Sequence, residues 1–363
     1  MASLKSLVLV GAGHTHALVL RDLRGQVPAD VCLTVIDPQA CAVYSGMLPG
    51  CVAGHYSRDQ PNIDVAALAR GTGAKFVNTA VVALDPGTRQ VILKGGDTVP
   101  YDVASFDVGI TCGMPQLPGF TDHGVPAKPL PAFVASWESF RDSAEPAAIA
   151  VIGGGIAGAE LAMAMAYGLQ ARRRACRIAL IDRGTIPGGV SHGAARRIRA
   201  ALDGFGVAVH ENTDIARITA KGVELADNIL LPANFVAGAA GATPHPWLAE
   251  TGLNTTGGYI TVGTTLQSSD ADVFAAGDCA HFAPAPLPKA GVYAVRKAPV
   301  LRRNLLSRVR GERLREFRPQ SDFLKLITLG GQRAVAEKFG ISASGTWAWK
   351  MKNRIDRGFM NSF

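Results

Sequence analysis

The chain has 363 residues, of which 48% are hydrophobic, so it is long enough to form two or three domains with their own cores. Its 41 glycines and 21 prolines follow no short repeat, which excludes collagen-like and low-complexity architectures. The formal net charge is +8, but residues 301–363 alone hold 14 Lys and Arg against 5 Asp and Glu, a net of +9. This asymmetry fits an anionic partner of the C-terminal region, and it fits a solvated basic face equally well.

The chain shows no pattern of a secretory signal, because the apolar run at residues 7–10 is short and ends in glycine. Residues 147–169 are almost uncharged, but a triple glycine interrupts them, which favours a buried strand followed by a helix over a membrane span. We therefore expect a cytoplasmic protein without a transmembrane helix. The cysteines at positions 32, 41, 51, 112, 176 and 279 lack metal-ligand spacing, so we expect most of them to be small core residues and none to form a metal site.

Two segments of the chain share the same order of strand, glycine turn, helix and strand. The first occupies residues 6–10, 11–13, 14–23 and 31–36, and the second occupies residues 148–152, 153–158, 159–169 and 177–181. This order predicts an α/β fold with two Rossmann-like, three-layer dinucleotide-binding domains in series.

The regions between and after these segments predict smaller elements. Residues 80–93 and 98–108 alternate apolar and polar positions, which indicates an antiparallel β-meander. Residues 111–113 and 235–241 read as the crossings between the domains, residues 273–276 as a buried strand, and residues 291–306 as a helix. The C-terminal end from residue 323 predicts two strands and a basic helix. We expect a discontinuous first domain at 1–115 and 245–322, a second domain at 116–244, and an extension at 323–363.

The first glycine turn matches the dinucleotide fingerprint only in part. Gly11 and Gly13 match its first two glycines, whereas His16 stands where the third glycine is expected. The first glycine allows the tight turn, and the second lets a pyrophosphate approach the backbone at a helix N-terminus. Asp37 ends the next strand, 24 residues after Gly13, where an acid accepts hydrogen bonds from a ribose hydroxyl. An ordinary glycine turn is the alternative.

The second glycine turn carries the complete fingerprint, Gly153, Gly155 and Gly158, with Asp182 as the acid 27 residues after Gly155. An acid at this position favours NADH, because it would repel the 2′-phosphate of NADPH, although the adjacent Arg183 offers a contact for that phosphate.

With two fingerprints, the chain resembles the two-dinucleotide-binding flavoproteins, which include the pyridine nucleotide-disulfide oxidoreductases with their glutathione-reductase-like fold. The resemblance implies FAD at the first turn and NAD(H) or NADP(H) at the second. Residues 275–278 resemble the family's late Gly-Asp motif, so Gly277 and Asp278 are expected at the flavin ribityl chain. A simple helix cap is the alternative role for Asp278. Cys112 and Gly113 are also expected to contact the cofactor.

The segment between Cys41 and Cys51 indicates the branch of this superfamily. Disulfide reductases carry a Cys-x4-Cys pair, whereas nine residues separate these two cysteines. The segment resembles the loop of type II NADH dehydrogenases, which implies that Gly46 and Pro49 lie against the flavin. A closer resemblance is to the flavoprotein domain found fused to selenide, water dikinase, at residues 13–16, 45–50, 288–296 and 347–360. Sulfide:quinone oxidoreductases share the scaffold, but their catalytic cysteines are not evident.

Three further side chains are candidates for the redox chemistry, beginning with Pro49. Lys289 and Ala290 precede a predicted helix whose N-terminus would lie at the flavin pyrimidine, where positive charge stabilises the reduced ring. A solvated lysine is the alternative. Glu160, at the start of the second helix, is expected to face the nicotinamide or a nearby lysine, or to bind the amides that begin its helix.

The C-terminal helix is predicted to be amphipathic, because four apolar residues recur every four positions, at Trp347, Met351, Ile355 and Phe359. Its basic residues fall elsewhere on the helical wheel, at Lys350, Lys352, Arg354 and Arg357. Such a helix suits the headgroup region of an anionic membrane on the inner face of the cell membrane. Packing of the stripe on the protein, or across a homodimer interface, remains the alternative.

These patterns predict an FAD-dependent NAD(P)H dehydrogenase that resembles type II NADH dehydrogenases and passes electrons to a quinone or similar acceptor. One alternative is a reductase of a sulfur or selenium compound. Another is a non-catalytic, flavin-bound module linked to selenophosphate synthesis. We expect no nucleic-acid partner, because no nucleic-acid-binding motif accompanies the basic tail.

Overall fold

The computed structural model of the chain describes residues 4–143 and 146–363. Up to residue 143 the strands are β1 (Lys5–Val10), β2 (Val31–Ile36), β3 (Cys41–Val43), β4 (Asn62–Asp64), β5 (Lys75–Val77), β6 (Val81–Asp85), β7 (Gln90–Leu93), β8 (Thr98–Pro100), β9 (Val103–Phe106), β10 (Thr111–Cys112) and β11 (Gly124–Pro126). The helices of this part are α1 (His14–Leu23), α2 (Leu48–Ala53), α3 (Val65–Thr72), α4 (Phe120–His123) and α5 (Leu130–Arg141).

From residue 146 the strands are β12 (Ala147–Ile152), β13 (Cys176–Ile181), β14 (Val207–His210), β15 (Ile215–Thr219), β16 (Gly222–Leu225), β17 (Leu230–Pro232), β18 (Phe235–Gly238), β19 (Ala242–Thr243), β20 (Thr255–Thr256), β21 (Tyr259–Val262), β22 (Val273–Ala275), β23 (Ala280–Phe282), β24 (Lys325–Thr328), β25 (Ala334–Lys338) and β26 (Ile341–Gly345). The helices are α6 (Ile156–Gln170), α7 (His192–Gly204), α8 (Gly291–Arg310) and α9 (Thr346–Met360).

The first parallel sheet has the strand order β22-β9-β1-β2-β5. Its central strand β1 buries residues 7–10 completely, because helices cover one face and other strands and loops cover the opposite face. Helix α1 contacts both α8 and α3 on this sheet. The predicted strand, helix and strand at the start of the chain are confirmed, with β1 beginning one residue earlier than expected.

The second parallel sheet has the strand order β11-β18-β12-β13-β14 and repeats the architecture of the first. Residues 147–169 form a buried strand and then most of a helix, as predicted, although α6 begins at Ile156 rather than at residue 159. Among the described residues, no helix combines the length and apolar character needed to cross a bilayer.

Two strands were assigned wrongly from the sequence. The meander exists as β6-β7-β8, with the expected turn at residues 95–97, but β9 belongs to the first parallel sheet. Residues 235–238 are not a crossing, because they form β18 inside the second sheet. All four residues of each strand are buried, which is typical of strands covered on both faces. The crossings themselves pair as a short ladder between β10 and β19.

The C-terminal extension has three strands rather than the predicted two. Strands β24, β25 and β26 form an antiparallel sheet whose turns use Gly330 (φ 78°) and Gly340 (φ 75°), and α9 follows directly. Helix α8 is also longer than expected, and it ends at Gly311, whose left-handed φ of 70° terminates the helix.

Helix α2 joins the two sheets, because in sequence it lies between β2 and β5 of the first sheet but packs in the core of the second. Leu48 and Val52 lie in the same buried cluster as Trp137 of α5. The Trp137 indole donates a hydrogen bond to the Val52 carbonyl at 3.0 Å. A Cβ on Gly168 of α6 would lie 2.9 Å from that same carbonyl oxygen, so α2 and α6 pack closely. The segment that contains Pro49 is thereby fixed between the two units.

Candidate redox site

The first glycine turn is held by backbone bonds and by the acid that follows β2. Gly11 has a φ of 79°, and its amide donates to the Ile36 carbonyl at 2.8 Å. Asp37 accepts hydrogen bonds from the amides of Ala12 at 2.7 Å and Gln39 at 2.8 Å. Burial raises the pKa of Asp37, and these two hydrogen bonds oppose that rise. The acid therefore lies beside the turn, where the sequence predicts a ribose contact.

The second glycine turn reproduces this arrangement. The Gly153 amide donates to the Ile181 carbonyl at 2.8 Å, and Gly153 has a φ of 113°. Asp182 accepts from the amides of Gly154 and Gly184, the positions that correspond to Ala12 and Gln39 in the first turn. A Cβ on Gly158 would lie 1.7 Å from the Gly153 carbonyl oxygen, so only glycine permits this close approach of α6.

His16 occupies the corresponding position in α1 and is completely buried. Its Nδ1 lies 2.6 Å from the Gly11 carbonyl oxygen and its Nε2 lies 2.8 Å from Ser105 Oγ. Because a carbonyl only accepts, Nδ1 carries the proton, and Nε2 accepts from the hydroxyl of Ser105 in a neutral imidazole. Burial lowers the pKa of His16, against the effect of nearby Asp107. The imidazole thus fills a space between α1 and the sheet. In the second unit this space is absent, because α6 packs directly against the turn at Gly158.

Asp107 is a buried site residue that the sequence analysis missed. Its carboxylate accepts from the amides of Thr15 at 2.8 Å and His16 at 3.1 Å, and so caps the N-terminus of α1. A Cβ on Gly13 would lie 2.4 Å from the Asp107 carboxylate, and one on Gly277 would lie 2.0 Å from it. A carboxylate directly after the mostly apolar run at residues 103–106 was the available signal, but the sequence pattern assigned this run to the meander.

The late Gly-Asp motif and the start of α8 lie on the same side of the first sheet as this turn. Asp278 lies 3.5 Å from the ammonium of Lys128, which precedes α5. Lys289 donates to the Ala280 carbonyl at 2.7 Å, and its ammonium is 3.8 Å from the centre of the Tyr259 ring. Burial lowers the pKa of Lys289. The lysine is therefore held by the protein, which differs from the solvated alternative.

Ala290 precedes the first residue of α8 and offers no side-chain cap to its amides. A Cβ on Gly291 would lie 3.9 Å from Nδ1 of His14 in α1. The N-termini of α1 and α8 therefore approach each other at this end of the sheet, as expected for two helices that share one ligand.

The segment before α2 brings Gly46 beside the C-terminal helix. The Gly46 carbonyl accepts from Lys352 Nζ at 2.7 Å, and a Cβ on Gly46 would lie 2.7 Å from the Tyr44 ring. Pro49 is buried in the first turn of α2. The cysteines on either side of this segment are free thiols, and burial raises the pKa of Cys51 to about 12. Such a thiol is a poor source of thiolate for disulfide chemistry.

Glu160 lies where α6 meets the C-terminal extension. Its carboxylate accepts from the amide of Thr328 at 2.7 Å and from the hydroxyl of Thr328 at 2.8 Å. Burial raises the pKa of Glu160, and the nearby Lys352 ammonium opposes the rise. Of the three expected environments, the nearby lysine is present, whereas the hydrogen bonds go to Thr328 rather than to the amides that begin α6.

Cys112 and Gly113 lie at the crossing between the units. The Cys112 sulfur is 3.4 Å from the Ala240 carbonyl oxygen, and the Gly113 amide donates to the Gly241 carbonyl. A Cβ on Gly113 would lie 2.9 Å from that carbonyl oxygen, so glycine is needed for the crossings to approach. Their contacts explain how the two crossings are joined, and the predicted cofactor contact of both residues stays a prediction.

Two glycine turns of this geometry, each followed by a helix and closed by an acid after the next strand, define a protein that binds two dinucleotides. The sequence comparison gives the family. Residues 5–298 match the family described as pyridine nucleotide-disulphide oxidoreductase, and the chain belongs to that family.

Two named proteins are similar to the chain at less than 30% identity. The chain is 28% identical over 298 residues to a nitric oxide reductase FlRd-NAD(+) reductase of Aeromonas hydrophila, covering 78% of this chain and 73% of that protein. It is 27% identical over 291 residues to demethylphylloquinone reductase NdbB of Synechocystis sp., covering 76% and 71%. A sulfide:quinone oxidoreductase structure from Aquifex aeolicus superposes with a TM-score of 0.80 at 17% identity, over 99% of this chain and 92% of that chain, which shows the fold alone.

The fold class and the enzyme class predicted from the sequence are confirmed: the chain has the α/β fold of this family and is an FAD-dependent NAD(P)H oxidoreductase. The glycine turns fit these cofactors. No atom would lie within 4 Å of a Cβ on Gly155, so the space in front of α6 is open to a phosphate. The first turn has the same backbone geometry, and it differs in that the carboxylate of Asp107 already binds two amides at the start of α1.

Proposed function

We propose that this chain is an NAD(P)H dehydrogenase that passes electrons to a quinone at the surface of a membrane. The quinone is suggested by one relative, which is named demethylphylloquinone reductase. The observation that carries the proposal is the orientation of α9, because the apolar stripe of this helix is partly turned towards solvent.

Helix α9 has an inner face and an outer face of different character. Asp356 is buried on the inner face, together with most of the Lys352 side chain. On the outer face Trp347 is 52% exposed and Ile355 is 50% exposed. The nearby hairpin between β25 and β26 exposes Ile341 to 78%. Large apolar side chains are rarely grouped on a surface that contacts only water, so this face supports a membrane or partner contact.

The charges around the outer face favour an anionic membrane. Lys350 and Arg354 are exposed on α9, beside the apolar residues. A helix that combines an exposed apolar stripe with basic neighbours lies in the plane of a membrane, where its cations meet anionic headgroups. We therefore place the protein peripherally on the inner face of the cell membrane.

The proposed roles of the site residues follow from their positions. When bound, FAD would supply the redox chemistry that links hydride donation by NAD(P)H to electron transfer to the acceptor. We assign FAD to the first turn, where Gly11, Gly13 and Asp37 would bind it together with Gly46, Cys112, Gly113, Gly277, Asp278 and Ala290. His16, predicted as a cofactor contact, lies wholly between α1 and the sheet and would support the turn from behind. Gly153, Gly155, Gly158 and Asp182 receive NAD(P)H. Pro49 closes the flavin site towards α6, and Lys289 supplies positive charge. Glu160 binds the amide and hydroxyl of Thr328 and so joins α6 to the C-terminal extension beside the site.

The sequence alternatives are less well supported. A thiol-based reductase of sulfur or selenium compounds would need a reactive thiolate, and burial raises the pKa of Cys51 to about 12. A non-catalytic flavin-bound module would leave the open space before α6 without a task. Both alternatives predict no NADH-dependent reduction of quinone, which separates them from our proposal.

Vesicle binding and quinone reduction test the proposal together. We expect the protein to sediment with phosphatidylglycerol vesicles and to reduce a quinone in them with NADH. The double variant Trp347→Ser, Ile355→Ser should weaken vesicle binding by roughly tenfold or more, because it removes two apolar side chains worth about 1.5–3 kcal/mol each.

The matched control is Ile229→Ser, which removes a side chain of similar exposure, 53%, from the second unit. This variant should bind vesicles as the wild type does. The proposal is wrong if the wild type reduces no quinone, or if both variants lose vesicle binding equally.

A further inference from the structure

The N-terminus of α1 is already occupied by a carboxylate of the protein. Asp107 is 2% exposed and accepts hydrogen bonds from the amides of Thr15 and His16, the second and third residues of α1. Among the described residues, no lysine or arginine forms an ion pair with this carboxylate. Lys128 forms an ion pair with Asp278, the other acid at this end of the sheet, at 3.5 Å.

The second unit shows the same position without the charge. In the first unit the Asp107 amide donates to the Val10 carbonyl at 2.9 Å, directly after β9. In the second unit the Ala239 amide donates to the Ile152 carbonyl at 2.7 Å, directly after β18. Asp107 and Ala239 are therefore structural equivalents, and the two units differ at this position by one carboxylate.

A helix N-terminus attracts anions because its free amides point outwards and its dipole is positive there. In α1 two of these amides already bind Asp107, and the carboxylate adds a negative charge where a pyrophosphate must approach. In α6 the N-cap residue Gly155 has no side chain to offer the amides, and among the described residues no atom beyond its chain neighbours would lie within 4 Å of a Cβ there. The two turns therefore offer different electrostatic environments to the same kind of ligand.

We infer that Asp107 stabilises the unliganded first turn and lowers its affinity for the pyrophosphate of FAD, so that this chain holds FAD less tightly than its glycine turn would otherwise allow. The inference rests on FAD as the ligand of the first turn, which belongs to the proposed function. It does not depend on the electron acceptor. A carboxylate that caps the helix stabilises the unliganded protein. It therefore opposes a pyrophosphate that needs the same helix N-terminus.

The test uses full-length apoprotein stripped of FAD and titrated with FAD, with quenching of flavin fluorescence as the readout. Asp107→Asn keeps an oxygen acceptor for the two amides and removes the charge. We expect this variant to bind FAD roughly tenfold more tightly and to release it more slowly. Asp107→Ala should bind FAD more tightly too, while its apoprotein melts at a lower temperature because the cap is lost.

Asp102→Asn is the matched control, because Asp102 precedes the same strand and also accepts a backbone amide, that of Ser6 at 2.8 Å, at the opposite end of the sheet. Its FAD affinity should equal that of the wild type. Ala239→Asp is the reciprocal variant, and it should weaken NADH binding by roughly tenfold and leave FAD affinity unchanged.

Unchanged or weaker FAD binding in Asp107→Asn would overturn the inference. If that variant does not fold, unchanged NADH binding in Ala239→Asp overturns it instead. A wild type that binds FAD but reduces no quinone would reject the proposed function and leave this inference standing, so the two failures are distinguishable.

Discussion

Asp182 builds the second glycine turn, and we propose that the same side chain selects the nicotinamide cofactor. Its two carboxylate oxygens accept from the amides of Gly154 and Gly184, which fixes the turn at the end of β13. A carboxylate in this position also receives a ribose hydroxyl and repels a 2′-phosphate. The neighbouring Arg183 is exposed, so it is available to a phosphate if the acid is removed.

We predict that the wild type prefers NADH to NADPH. Asp182→Ser should shift the ratio of kcat/KM values towards NADPH by at least about tenfold, because a neutral hydroxyl replaces the carboxylate that repels the 2′-phosphate. Steady-state kinetics with both nucleotides measures this ratio. Asp182→Glu keeps the charge and serves as the control. An unchanged ratio in Asp182→Ser would remove Asp182 from the cofactor site.

At the residue scale, sequence spacing was sufficient for local groups only. Gly11, Asp37, Gly153 and Asp182 were found because each lies at a fixed distance from a strand end in a single βαβ unit. Asp107 was missed because it lies 92 residues from the Thr15 amide that it binds, and no local pattern connects the two.

The sequence of α9 does not show clearly which face of the helix is buried and which is exposed. Its pattern predicted an apolar stripe, yet its inner face carries an ion pair in which Lys352 Nζ lies 2.6 Å from Asp356 Oδ2. These side chains are only 11% and 5% exposed, and Tyr44 donates to the same carboxylate at 3.1 Å. Sequence periodicity could not identify this face, because burial of charge depends on partners from distant segments.

We predict that Lys352→Met and Asp356→Leu each lower the free energy of unfolding by about 3–5 kcal/mol, because each leaves one buried charge without its partner. The double variant should lose clearly less than the sum of the two, since it leaves no unpaired charge. Urea denaturation of the three variants and the wild type measures these values. Additive losses would show that the two side chains do not act as a buried pair.

At the scale of the whole molecule, the two parallel sheets have the same construction, and α2 and the C-terminal extension hold them together. The order of strands and helices was predictable from glycine turns and hydrophobic runs. The membership of β9 and β18 in the sheets was not, because a short apolar run reads alike in a central strand and in a crossing. The sequence also did not identify Lys352 as the lysine near Glu160, because the C-terminal extension returns to α6 only in three dimensions.

In the proposed reaction, the two glycine turns bring a nicotinamide and a flavin together for hydride transfer. Anaerobic titration of the purified, FAD-loaded protein with NADH tests it most directly, with the visible absorbance of the flavin as the readout. We expect the flavin band to be bleached at about one NADH per FAD, because each NADH transfers one hydride to one flavin. A flavin band that stays unchanged in excess NADH and NADPH, or a folded protein that takes up no FAD, would contradict it.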